Sequence, residues 1–63
     1  MYNTVEEIRA AFIRKGWKDI SFTKTTEKDI RGREKILFVM NETGNIYDNR
    51  GKIYRYNIKP ATN

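Results

Sequence analysis

The chain of 63 residues contains no cysteine and no histidine. The first absence rules out disulfides, thiolate nucleophiles and cysteine-held metals. The second removes the commonest general base near neutral pH and leaves zinc with carboxylate ligands alone. No group of carboxylates has the spacing of a known metal site, so the residues call for neither metal nor cofactor. Proline occurs once, at Pro60. The longest apolar run, Ile36 to Met40, is far short of the roughly 20 residues that a membrane span needs. The opening Met1-Tyr-Asn-Thr-Val-Glu-Glu7 shows neither the basic nor the apolar region of a secretion signal. The expectation is a cytoplasmic protein with no membrane partner.

What the chain has in quantity is positive charge. Thirteen Lys and Arg face eight Asp and Glu, a formal +5 with a pI near 9.8. A balance of that sign suits polyanions: nucleic acid, DNA or RNA, or an acidic protein surface. The length sets a single small domain over 1–63, with a stability on the order of a few kcal/mol.

Residues 4–15 read as a helix. Thr4 and Glu7 have capping-box spacing, Glu6 and Glu7 suit the positive end of the helix dipole, and Arg14 and Lys15 suit the negative end. Val5, Ile8, Ala11 and Phe12 recur at helical spacing and make its apolar stripe. Gly16 is placed for a left-handed C-terminal cap, after which Trp17 folds back onto Phe12. Strands are expected at about 19–25, 34–40, 45–48 and 52–58, with 26–32 as a polar connection and 59–63 as a tail. The fold class is α+β: one N-terminal helix packed on a three- to four-stranded antiparallel meander. The pattern shows no internal repeat.

If Ile36, Phe38 and Met40 meet the helix beside Ile20, Phe22, Tyr54 and Tyr56, strand alternation turns Leu37, Val39, Ile53 and Arg55 to the opposite face. Phe12, Trp17, Ile36 and Phe38 are then expected among the most buried side chains. One helix covers one face, which leaves the other to the tail, to the 26–32 connection or to a partner.

Three constellations carry possible chemistry. Arg50, Lys52 and Arg55, with Lys35 across the sheet and Tyr47 as a candidate base-stacker, have the basic–aromatic character of single-strand nucleic-acid surfaces. The loop from Lys24 to Arg33, with Lys28 and Arg31 between them, offers phosphate contacts but lacks the spacing of a P-loop. Of the carboxylates Glu6, Glu7, Glu34, Glu42 and Asp48, the first two suit the helix dipole, Asp48 suits a turn and Glu34 and Glu42 fall near strand ends. Nothing in the pattern implies a pocket, so no enzyme is expected. The reading is a small basic non-enzymatic module that binds nucleic acid through its hairpin and loop surface. The alternative is a protein-interaction or inhibitor factor of phage or plasmid type. It would dock a host protein, or form a homodimer, through Leu37, Val39 and Ile53.

The order of a helix ahead of an antiparallel meander resembles, in outline only, double-stranded-RNA-binding domains and HicA-type RNase toxins. Those toxins depend on a histidine, and the RNA-binding domains on a lysine-bearing second helix. The residues here supply neither, and the outline assigns no function.

Overall fold

The structure is a computed structural model that describes residues 1–57; the expected end of the last strand at Ile58 and the expected tail 59–63 lie outside them. One helix, α1 (Val5–Arg14), precedes four strands, β1 (Phe22–Lys28), β2 (Glu34–Met40), β3 (Ile46–Asp48) and β4 (Ile53–Arg55). The strands form one antiparallel sheet in the order β1-β2-β3-β4, and α1 packs on one face of it. The expected α+β class with an N-terminal helix and a meander is the fold observed.

Both ends of α1 are set by local chemistry. The Thr4 hydroxyl accepts from the Glu7 N–H at 3.1 Å, and the Glu7 carboxylate accepts from the N–H groups of Asn3 and Thr4 at 2.6 and 3.1 Å. Those backbone donors hold the Glu7 carboxyl below its usual range. At the other end Gly16 adopts φ 107, its N–H donates to Ile13 O, and the Trp17 N–H donates to Phe12 O at 3.2 Å. This pair of bonds satisfies carbonyls that the last turn would otherwise leave bare. The Trp17 ring does contact Phe12, with centroids 5.8 Å apart. It remains 40% exposed, however, so the expectation of a buried Trp17 is corrected. It is a cap contact at the rim of the core.

The core lies between α1 and the sheet. Ile8, Phe38 and Met40 have no exposed surface, and Phe12, Ile20, Phe22 and Tyr47 complete the cluster, with Tyr2, Val5 and Ile36 packed at its edge. Phe12 meets Phe22 and Tyr47 edge-on, at 5.2 and 4.9 Å between centroids, an arrangement that aligns ring edges with ring faces. Ile36 is half-buried, not one of the most buried residues as expected.

Two departures from the sequence reading bear on function. The segment Thr23–Lys28, expected in part as a polar connection, is strand: β1 pairs with β2 from Phe22↔Met40 to Lys28↔Glu34. An edge strand needs apolar residues only where it meets the core, and here Phe22 alone is buried. The second departure is in β4. Ile46 pairs with Arg55 and Tyr47 with Ile53, so Tyr54 is an extra residue in a β-bulge. The bulge resets the alternation. Ile53 joins Tyr47 on the helix side, where Tyr54 and Tyr56 were expected. The two tyrosines are instead 40% and 63% exposed.

Candidate nucleic-acid interface

Two of the three hairpins of the sheet are closed by turns of one design. Asp29-Ile-Arg-Gly-Arg33 joins β1 to β2, and Asp48-Asn-Arg-Gly-Lys52 joins β3 to β4. In each, the aspartate Oδ1 accepts from the N–H groups two and four residues on, at 2.9 Å for Arg31, Arg33 and Arg50 and 3.0 Å for Lys52. In each, the aspartate N–H donates to the carbonyl of the fifth residue, and the glycine N–H donates back to the aspartate carbonyl. The glycine takes φ 80 at Gly32 and φ 83 at Gly51, a left-handed conformation that resists any side chain. The shared pattern is aspartate, any residue, arginine, glycine, then a basic residue. It is an internal repeat that apolar periodicity does not reveal, because it lies in the turns. Aligning the glycines that follow each aspartate by three positions would have found it.

In an up-and-down meander the β1–β2 and β3–β4 turns emerge at the same end of the sheet. The register Leu37↔Asp48 ends the second hairpin three residues before the first one closes at Lys28↔Glu34. The first turn therefore stands about 10 Å further out, at the usual rise of a strand. Each turn carries two cations against one carboxylate, and that carboxylate accepts from backbone. Arg31, Arg50 and Lys52 are exposed and make no ion pair among the described residues, while Arg33 lies 3.7 Å from Asp29. The second turn is tied down: the Tyr2 N–H donates to Asn49 O at 2.7 Å, and a Cβ on Gly51 would stand 3.1 Å from the Tyr2 ring.

The other expected contact residues have separate fates. Lys28 is exposed at the end of β1 opposite Glu34. Lys24 donates from Nζ to Asn3 O at 2.8 Å, which ties the edge strand to the chain entering α1. Tyr47 is buried against Phe12 and Phe22 and is not presented for base stacking, which corrects that expectation. Leu37 has no exposed surface, Val39 is half-buried, and Ile53 turns to the helix side. These three do not form the common exposed apolar face expected of them.

Leu37 is buried on the face that α1 does not cover. Register places Thr25, Leu37 and Asp48 in one row of that outer face, between the row of Glu27 and Lys35 and the row of Thr23, Val39, Ile46 and Arg55. Across these rows the Arg55 guanidinium donates two hydrogen bonds to the Glu27 carboxylate, both at 3.1 Å. The fork joins the two edge strands, β1 and β4, and holds the Arg55 proton more firmly than usual. The Tyr54 ring has the Lys35 Nζ 5.7 Å and the Arg55 guanidinium 5.3 Å from its centroid. Bulge, cations and fork lie on the same outer face as the buried Leu37.

Neither a pocket nor a group of residues able to hold a metal ion is present among the described residues, and none of their helices is long and apolar enough to cross a membrane. The chain matches no protein-family model, no curated protein and no solved structure.

Proposed function

We propose that this chain is a non-enzymatic nucleic-acid-binding module that grips phosphates with its paired basic turns. One observation carries the reading: two turns of the same design leave one end of the sheet with Arg31 and Arg33 on one and Arg50 and Lys52 on the other. The turn backbones satisfy themselves through Asp29 and Asp48. The side chains of Arg31, Arg50 and Lys52 are therefore spare, on turns whose backbones are already ordered, which lowers the ordering cost of binding. Docking of a protein through Leu37, Val39 and Ile53 has no comparable support, because Leu37 is covered and Ile53 faces the other way.

The test is binding to duplex DNA, duplex RNA and single strands over a salt series starting near 50 mM. Replacing Arg31, Arg33, Arg50 and Lys52 by Gln, with both aspartates and glycines retained, is expected to preserve the fold. It should weaken binding across sequences and flatten the salt slope by roughly 0.7–0.9 for each phosphate no longer neutralised. A wild-type protein that binds no nucleic acid at about 50 mM salt overturns the reading.

A further inference from the structure

We infer that Tyr54, Arg55 and Lys35 form a single-strand nucleotide site on the outer face of the sheet, kept closed by Glu27 standing in for a phosphate. The inference rests on the nucleic-acid reading and names the strand state and the residues of a second contact surface.

The bulge at Tyr54 places two consecutive side chains, an aromatic and a guanidinium, on one side of the sheet. Tyr54 is 40% exposed, and two cations stand 5.7 and 5.3 Å from the centroid of its ring. A base stacking on that ring would bring its phosphate to the same two cations. Stacking of this kind needs an unpaired base, since a duplex hides its base faces.

Arg55 already shows how it would hold the phosphate. Its fork grips two carboxylate oxygens at 3.1 Å each, and the same fork matches two oxygens of a phosphodiester. Carboxylate and phosphodiester carry the same charge, so exchanging one for the other leaves Arg55 neutralised. The side chains of the pair are 51% and 39% exposed, and exposed pairs contribute little to stability. The exchange therefore costs the fold little. Glu27, whose side chain is already 39% exposed, passes to water once released. Glu27 thus acts as a built-in competitor, selecting ligands that offer both an anion for the fork and a flat ring for Tyr54.

The experiment uses the full chain and two probes, a ten-nucleotide oligothymidine and a duplex of similar length, at about 150 mM salt, where charges beyond about 8 Å are largely screened. Glu27→Gln is expected to tighten oligothymidine binding by about two- to fivefold, the range released by breaking an exposed pair. Glu6→Gln makes the same change of charge on the helix and is expected to have a smaller effect. Tyr54→Leu should weaken oligothymidine binding about fivefold or more and leave duplex binding unchanged. Thermal melts establish that each variant folds. Should Tyr54→Leu fail to melt cooperatively, the contrast between the two glutamates decides alone. Equal effects of Glu27→Gln and Glu6→Gln, or oligothymidine binding by folded Tyr54→Leu at the wild-type level, overturn the inference. If the wild type binds duplex and the turn variants lose it while the outer-face variants do not differ, this inference falls and the nucleic-acid reading survives. If the wild type binds neither probe, even at about 50 mM salt, both fall.

Discussion

Phe38 and its neighbour Leu37 both lose all exposed surface, on opposite faces of β2, and they lose it to different materials. Phe38 is covered by a capped helix bearing Ile8 and Phe12, and its surroundings are aliphatic and aromatic throughout. Leu37 lies on the other face, in the row between that of Lys35, close to the Tyr54 ring, and that of Arg55, whose guanidinium is forked to Glu27. With one helix among the described residues, the comparison shows two different ways of burying side chains on the two faces of one sheet. One face has a dedicated element, while the other has long amphipathic side chains whose stems shield apolar surface and whose charged ends stay wet. The first cover is a packed solid, and the second is replaceable.

The strongest way to break this comparison is Phe38→Ala. It is expected to cost about 3–5 kcal/mol, comparable to the whole stability of so small a domain. The variant should show no cooperative melt, and a folded Phe38→Ala protein would mean that the helix face is not the principal core. Leu37→Ala should cost less, about 2 kcal/mol, because flexible side chains above it can sag into the gap. Denaturant titration measures this, and equality with Phe38→Ala would show the outer cover to be as rigid as the helix.

Acid should attack the cap of α1 and the β2–β3 end of the sheet. Glu7 is held below its usual carboxyl range by the N–H groups of Asn3 and Thr4, and Glu42 by the N–H and hydroxyl of Ser21. A carboxyl whose pKa is lower in the folded state adds stability that is complete above the usual carboxylate range and is lost as pH falls through the lowered native values. Melting temperature should therefore be flat near neutrality and drop in acid. The drop should shrink in the Glu7→Gln, Glu42→Gln double variant, and an unchanged acid limb would contradict this. The smallest effect belongs to Arg55→Gln, which should shift the melting temperature slightly and only at low salt, since the pair is exposed. A large shift would make the fork a structural strut.

The sequence made some of this plain and concealed the rest. Helix α1 was legible to its caps because Thr4, Glu7 and Gly16 act within one turn of chain. Strand β2 was legible because its apolar run has no other use. The far half of β1 was not, since Thr23-Lys-Thr-Thr-Glu-Lys28 has one edge without a strand partner and little apolar content to mark it. The bulge at Tyr54 was invisible to alternation, which assumes an unbroken period of two. That single extra residue exchanged the expected places of Ile53 and Tyr54. The candidate site was half visible: the cations were found by charge, but their grouping depended on the paired turns and on Glu27, read only as part of a solvated connection.

The ordering of the sheet also has a temporal consequence. Every strand pairs with its neighbour in sequence, and each aspartate turn completes its hydrogen bonds within five residues. Each hairpin can thus nucleate from its own turn, on the order of microseconds, without waiting for distant chain. Longer loops are closed by the pairing of Glu27 with Arg55, 28 residues apart, and of Tyr2 with Asn49. Pairing between neighbours in sequence favours rapid folding, and the late step is then the return of the N-terminal segment, which docks α1 on a sheet already drawn up. The tie between Tyr2 and the second turn is the latch of that step.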